Sequence, residues 1–245
     1  MLCIVCTAEE TEYFYYIGSK LFASGNYTGA LAYFDTAIKK NPNYVDAWIK
    51  KGDTQRVLKD YNESVKSYSH ALQIDNKSMI ALRGLIDSYL ALKDNAKASL
   101  FSANLTELDP KNRENWFKEG NLLQSQGEYA ESLSKYDGAL ELDPNYKDAL
   151  FRKGLSLIAL GQTTEAISIF NALLNLDPKY KQAYVALGLA FEAENRSGEA
   201  LDAYDEALHL GMHDSIWTQA LIGKMNTLLT LKRTQESAII LVGSQ

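Results

Sequence analysis

The chain is poor in several things that would define a function at once. It has two cysteines, Cys3 and Cys6, among 245 residues, so no disulfide framework holds it together. Cationic residues do not dominate: the net charge is -6 and the pI about 5.2, which argues against a nucleic-acid backbone as partner. No apolar run is long enough to span a bilayer. Three histidines, His70, His209 and His213, are too few and too scattered for a clear metal site. Only His209 and His213 share helical i, i+4 spacing, and Gly211 between them marks a helix end. Neither G-x-x-x-x-G-K-[S/T] nor G-x-S-x-G occurs, so phosphate cradling and a nucleophile elbow are absent as motifs. The carboxylates follow a repeat register rather than pairing for acid–base work. No catalytic residue, cofactor or metal is expected.

Proline is scarce as well, with four in the chain, and its placement is the first positive signal. Pro42, Pro110, Pro144 and Pro178 lie 34 or 68 residues apart. Gly18, Gly52, Gly120, Gly154 and Gly188 keep the same spacing, as do Trp48 and Trp116. A small residue recurs as Ala30, Ser64, Ala98, Ser132, Ala166 and Ala200, and an aromatic four later as Phe34, Tyr68, Tyr136, Phe170 and Tyr204. Within Arg113–Tyr146, Trp116, Gly120 and Leu123 fall on one helical stripe; Gly127 stops it, a second stripe follows, and Asp143-Pro144 ends that. Each unit therefore reads as two antiparallel helices. The period and its order of Trp, Leu-Gly, Tyr, Ala, Phe and Pro resemble the tetratricopeptide repeat family. The resemblance implies an all-α, right-handed helical solenoid. Thirteen or fourteen helices and no sheet are expected.

The units are placed at 11–44, 45–78, 79–112, 113–146, 147–180 and 181–214, with a slipped or partial unit at 215–245. Repeat three is the most degenerate: Ile86 stands at the glycine position, Gly84 comes two residues early, and Ser102 replaces the aromatic. Looser local packing is expected there. After His209 the period slips by three residues, and Asp214 or Ser215 can cap the next helix. The final helix, about Thr234 to Val242, would present Ile239, Ile240, Leu241 and Val242 with nothing after it, which predicts self-association, a fold-back, or further repeats. Residues 1–10 lie outside the period. They read as a signal remnant, as a bland arm or, least well, as a C-x-x-C half-site. Cytoplasmic residence is the default and export the alternative; Asn-x-Ser/Thr at Asn26, Asn62, Asn76, Asn104 and Asn195 mildly favours export, although turns favour these residues anyway.

Positions 4, 8 and 11 of each first helix are expected in the core. The resemblance implies that the stripe beside them lines a concave groove for a peptide or partner protein. It nominates Tyr15, Tyr16, Ser19 and Phe22; Lys50, Asp53 and Arg56; Arg83 and Asp87; Phe117, Lys118, Asn121 and Gln124; Phe151, Arg152, Leu155 and Ile158; Val185 and Leu189. Two plainer readings compete. Acid at position 2 with base at 6 (Asp46–Lys50, Glu114–Lys118, Asp148–Arg152) is the favoured order for helix support. The aromatics at position 5 (Tyr15, Phe117, Phe151) could equally fill gaps between helices. The chaperone-carboxylate clamp of the family is not matched, since Phe117, Arg152, Gln182 and Ala186 replace its residues. An interaction scaffold is the reading these residues favour; the alternative is a targeting or substrate-recruiting module of a larger enzyme or secretion complex.

Overall fold

The computed structural model describes residues 2–211 and 214–231, with side chains from residue 9 onward. Thirteen helices, and no strand, are found among the described residues. The chain divides after Pro110 into two compact units. Unit 1 holds α1 (Leu2–Ala23), α2 (Tyr27–Lys40), α3 (Val45–Val57), α4 (Tyr61–Ile74), α5 (Met79–Ala91) and α6 (Asn95–Leu108). Unit 2 holds α7 (Arg113–Ser125), α8 (Tyr129–Leu142), α9 (Lys147–Ala159), α10 (Thr163–Leu176), α11 (Lys181–Ala193), α12 (Ser197–His209) and α13 (Ser215–Thr230). Within each unit every helix packs on the next in sequence, the arrangement of a solenoid.

Each hairpin turns at position 15 of its repeat, where the backbone is left-handed. Gly25, Gly127 and Gly161 sit there at φ 82°, 84° and 75°; Lys59, Lys93 and Asn195 take the same conformation at 64°, 60° and 59°. The second helix starts at once. Asn26, Asp60 and Asp94 cap α2, α4 and α6 by accepting the N–H of Gly29, Glu63 and Lys97. Asn26 is thus a capping residue as well as part of an Asn-x-Thr triplet.

The core is built on glycine and an aromatic ring. A Cβ on Gly52, Gly120, Gly154 or Gly188 would stand 2.8, 2.7, 2.4 or 2.5 Å from the ring of Tyr68, Tyr136, Phe170 or Tyr204. Only a bare backbone lets those rings lie fully buried. On α3, α5, α7, α9 and α11 positions 3, 8 and 10 are buried throughout, whereas positions 4 and 11 are buried in some repeats, at Leu82 and Leu150 and at Gln55, Leu157 and Phe191, and half-buried in the others. Position 3 is Ala47, Ala81, Asn115, Ala149 and Ala183; position 10 includes Thr54, Ser88, Ser156 and Ala190. Trp48, Trp116 and Leu123 are only half-buried. Small residues win because two neighbouring helices press on this stripe. Several buried hydroxyls are satisfied: Ser64 Oγ donates to Ser88 Oγ at 2.8 Å, Ser132 and Ser156 repeat the pair at 2.8 Å, and Ser67 Oγ donates to Gln55 Oε1 at 2.6 Å.

Repeat three does not pack loosely. Ile86 is 9% exposed and Ser102 2%, so the large and small members have exchanged places and the pair remains buried. Gly84 serves the preceding repeat, since a Cβ there would come within 2.3 Å of the Tyr68 ring. Gly223 does the same for Tyr204 at 2.4 Å. It follows its tyrosine by 19 residues rather than 16, which is the three-residue slip seen in the period. Asp214 caps α13, its carboxylate accepting the Trp217 N–H at 2.6 Å.

At the N-terminus, α1 begins at Leu2, so the apolar stretch before the first repeat runs into that helix. The helix expected near 234–242, its apolar tip and His213 lie outside the described residues.

Candidate functional site: the first-helix faces

In unit 1 the nominated residues of α1, α3 and α5 come together as a charge network. Asp53 is its centre: Oδ1 accepts the Tyr68 hydroxyl at 2.7 Å, and Oδ2 accepts Lys50 Nζ at 3.3 Å. Lys50 also lies 5.6 Å from the ring centroid of Phe22. Arg56 Nη1 reaches across to Asp87 Oδ2 at 2.6 Å. Burial raises the Tyr68 hydroxyl far above its ordinary pKa and the Asp53 carboxylate raises it further, so the phenol stays a donor. Arg83 and Tyr16 are exposed, and Tyr16 lies 5.4 Å beneath Lys20 Nζ.

Unit 2 has the same scaffold with a different polar choice. Asn121 occupies the position of Asp53, and its Oδ1 accepts the Tyr136 hydroxyl at 3.0 Å. Gln124 spans to α9: its Nε2 donates to the Arg152 carbonyl at 3.0 Å and to Ser156 Oγ at 2.9 Å. Among the described residues the Arg152 guanidinium donates to an amide oxygen, Gln124 Oε1 at 3.4 Å, and to no carboxylate. These groups, with Ser125, Tyr129, Leu155 and Ala159, line a cleft of about 520 Å³. Lys118 pairs weakly with Glu114 at 3.6 Å. On α11, Leu189 is 50% exposed, whereas Val185 is 6% exposed and belongs to the core.

The three acid–base spacings along the helices resolve differently. Glu114–Lys118 forms as an i, i+4 pair. Lys50 turns to Asp53, and Arg152 turns to Gln124. Two of the position-2 acids also accept from a tyrosine at the end of their own repeat: Tyr146 donates to Glu114 at 2.8 Å and Tyr180 to Asp148 at 3.3 Å. Burial and the Asp148 carboxylate push the Tyr180 hydroxyl up to about 12.

Those closing tyrosines also explain the position-5 aromatics. Tyr15 stands 6.0 Å from Phe34 and 5.2 Å from Tyr44; Phe117 stands 6.1 Å from Tyr136 and 5.0 Å from Tyr146; Phe151 stands 6.1 Å from Phe170 and 5.3 Å from Tyr180. Each is a three-ring cluster of tilted or edge-on contacts inside one repeat. The signal was present in the sequence. An aromatic at position 5 occurs only in repeats that end in tyrosine; the others carry Ile49, Arg83 and Val185 there and close on Ser78, Asn112 and Asp214.

Known proteins place this architecture. The family model described as "Tetratricopeptide repeat" matches residues 17–78, 117–181 and 153–215. An uncharacterised protein of Methanocaldococcus jannaschii is 34% identical over 67 residues, 27% of this chain and 78% of that one. The peroxisomal targeting signal receptor of Komagataella phaffii is 31% identical over 77 residues, which is 31% of this chain and only 13% of the receptor. Among solved structures, YrrB, described as a TPR protein with an unusual peptide-binding site, superposes with a TM-score of 0.66 at 22% identity, covering 78% of this chain and 97% of YrrB. The C-terminal part of a TPR repeat-containing protein of Cytophaga hutchinsonii gives 0.73 at 15% identity, covering 91% of each. The chain belongs to the tetratricopeptide repeat family.

Proposed function

We propose that this chain is a protein-interaction scaffold that holds an extended acidic peptide along the first-helix face of unit 2. The observation that carries the reading is the cleft between α7 and α9. Its cation, Arg152, is exposed and has an amide rather than a carboxylate for a partner, so an incoming carboxylate gains a charge-assisted bond without displacing an ion pair. Asn121 spends its oxygen on Tyr136, which leaves its amide nitrogen to donate to a ligand carbonyl. Leu155 and the half-exposed Leu189 supply apolar contact further along. YrrB, with its peptide-binding site, supports a peptide as the class of ligand.

A recruiting module within a larger assembly is the second reading. It is favoured by the likeness to a targeting-signal receptor of which the matched repeats form a small share.

Fluorescence anisotropy with a labelled pentaglutamate peptide tests the first. Arg152→Glu should weaken binding about tenfold or more, and Lys118→Glu less, with the melting temperature nearly unchanged. Equal binding by the parent and Arg152→Glu proteins, or a fall in melting temperature without loss of binding, would return both residues to helix support.

A further inference from the structure

Neighbouring repeats are stitched on a second stripe of the first helices. Lys51 of α3 pairs with Asp35 of α2 at 2.7 Å, Lys153 of α9 with Asp137 of α8 at 2.5 Å, and Lys224 of α13 with Asp205 of α12. The spacing is 16 residues, or 19 across the slip. Lys51 also covers Trp48, its Nζ 5.5 Å from a ring centroid. In repeat four the cover comes from Lys135, which lies 5.4 Å over Trp116 and pairs with Glu119 at 2.8 Å. A lysine thus recurs beside the position-4 side chain.

The pair is lacking at the junction of α4 and α5, where Ser69 and Leu85 stand, and at that of α10 and α11. In the latter the aspartate position holds Asn171 and the lysine position Leu187. Tyr184 replaces the tryptophan, and Ala203 stands where repeat four has Lys135. What remains is a notch of about 250 Å³ lined by Asn171, Tyr184, Leu187, Phe191, Ala203 and the carboxylates Glu199, Asp202 and Glu206. Leu187, Phe191 and Ala203 form a buried floor at 6%, 8% and 5% exposure. Of the three acids, Glu199 is engaged by Arg196, which in turn covers Phe191 at 4.5 Å. Asp202 and Glu206 are exposed and make no ion pair among the described residues. Glu206 helps burial to raise the Tyr184 hydroxyl, which places that carboxylate near the ring.

We infer that this notch binds a lysine or arginine side chain of a partner polypeptide. The alkyl stem would lie on Tyr184 and Leu187, and the cation would reach Asp202 and Glu206. Charge and shape complementarity identify the occupant: the apolar floor takes an alkyl stem and the exposed carboxylates take its cation, the combination by which Lys135 lies over Trp116 and pairs with Glu119. Here the carboxylates come from α12, since the aspartate position holds Asn171, and no cation among the described residues pairs with Asp202 or Glu206. The notch uses positions 4, 7 and 11 of α11, whereas Leu189 of the proposed peptide face stands at position 9. The two surfaces therefore lie on different stripes of one helix.

The test uses the whole chain and a labelled pentalysine peptide. The doubly neutralised Asp202→Asn/Glu206→Gln protein should bind about tenfold more weakly than the parent. Leu187→Lys with Asn171→Asp, which introduces the ion pair seen at the α2–α3, α8–α9 and α12–α13 junctions, should block binding to a similar extent while keeping the melting temperature. Arg152→Glu should leave pentalysine binding intact, which separates this surface from the pentaglutamate site. Absence of pentalysine binding by the parent, or equal binding by both notch variants, would overturn the inference and assign any attraction to the overall negative charge.

Discussion

The two units build their first-helix faces from one 34-residue template and reach opposite electrostatic results. In unit 1 position 9 is Asp53, and its charge is consumed locally by Lys50 while Arg56 is consumed by Asp87. In unit 2 position 9 is Asn121, and Arg152 makes no ion pair among the described residues. One oxygen-for-nitrogen exchange, with a glutamine in place of the arginine at position 12, separates a face closed on itself from one open to a ligand. The scaffold beneath is unchanged, with tyrosine hydroxyls donating to position 9 in both units.

The largest effect is expected from exchanging the buried pair that differs between repeats three and four. Gly120→Ile drives a branched side chain into the Tyr136 ring, and Tyr136→Ser empties a fully buried site; each should cost about 3 kcal/mol. The double variant reproduces the Ile86/Ser102 arrangement. It should be less destabilised than the sum of the two by about 1–3 kcal/mol, measured by chemical denaturation. Strict additivity would show that repeat three is packed by some other compensation.

The charge comparison can be inverted. Asn121→Asp should give unit 2 the closed character of unit 1, by offering Arg152 and Lys118 an internal carboxylate, and weaken pentaglutamate binding about tenfold. Asp53→Asn should free Lys50 and create a second, weaker anionic-peptide site on unit 1. Titration calorimetry reads both affinity and stoichiometry. A change in neither variant would mean that position 9 does not decide which face is open.

Acid should act more on unit 2. Asp177, bonded by Lys147, and Asp214, bonded by the Trp217 N–H and by Lys181, are held below their ordinary value of 3.8; Glu194 and Glu199, bonded to Thr164 and Arg196, are held below 4.5. In unit 1 only Asp94 shows such a depression among the described residues. A depressed carboxylate stabilises the fold above its unfolded pKa, and that contribution is lost as pH falls through the lower, folded value. Hydrogen exchange compared at about pH 5 and about pH 3 should therefore show protection falling first in α9–α13 and later in α1–α5. Asp177→Asn should flatten the unit 2 response. Loss in unit 1 first would contradict the assignment.

The architecture was legible in the chain because the period repeats itself in independent copies, so helix pairs, turns and the three-residue slip could be located without tertiary information. The buried stripe was harder. Ala47, Ala81, Ala149 and Ala183 carry no obvious hydrophobic signal, yet they are buried because helices press on them from two sides. Large half-buried residues such as Trp116 attracted attention instead. The nominated face was only partly readable for a related reason. Spacing along a helix says which residues share a stripe, but not whether Lys50 prefers Asp46 or Asp53, nor that Glu114 and Asp148 accept from a tyrosine 32 residues away.

The smallest effect concerns the hairpin turns, where the units also differ. Position 15 is left-handed in each of the six repeats from 11 to 214; unit 1 places lysine there twice, at Lys59 and Lys93, while unit 2 uses Gly127, Gly161 and Asn195. A side chain in this conformation costs roughly 1–2 kcal/mol, because its Cβ crowds the following carbonyl. Glycine avoids that clash but gives the unfolded chain more freedom, worth about 0.4–1 kcal/mol in the opposite direction. Lys93→Gly should therefore stabilise by only about 0.5–1 kcal/mol, and Gly161→Lys should destabilise by a similar amount. Nothing lies within 4 Å of a Cβ built on Gly161, so the effect is one of backbone conformation and not of packing. Thermal unfolding of both variants beside the parent measures the pair. Shifts of the same sign would show that contacts of the lysine stem, rather than the left-handed backbone, set the stability of these turns.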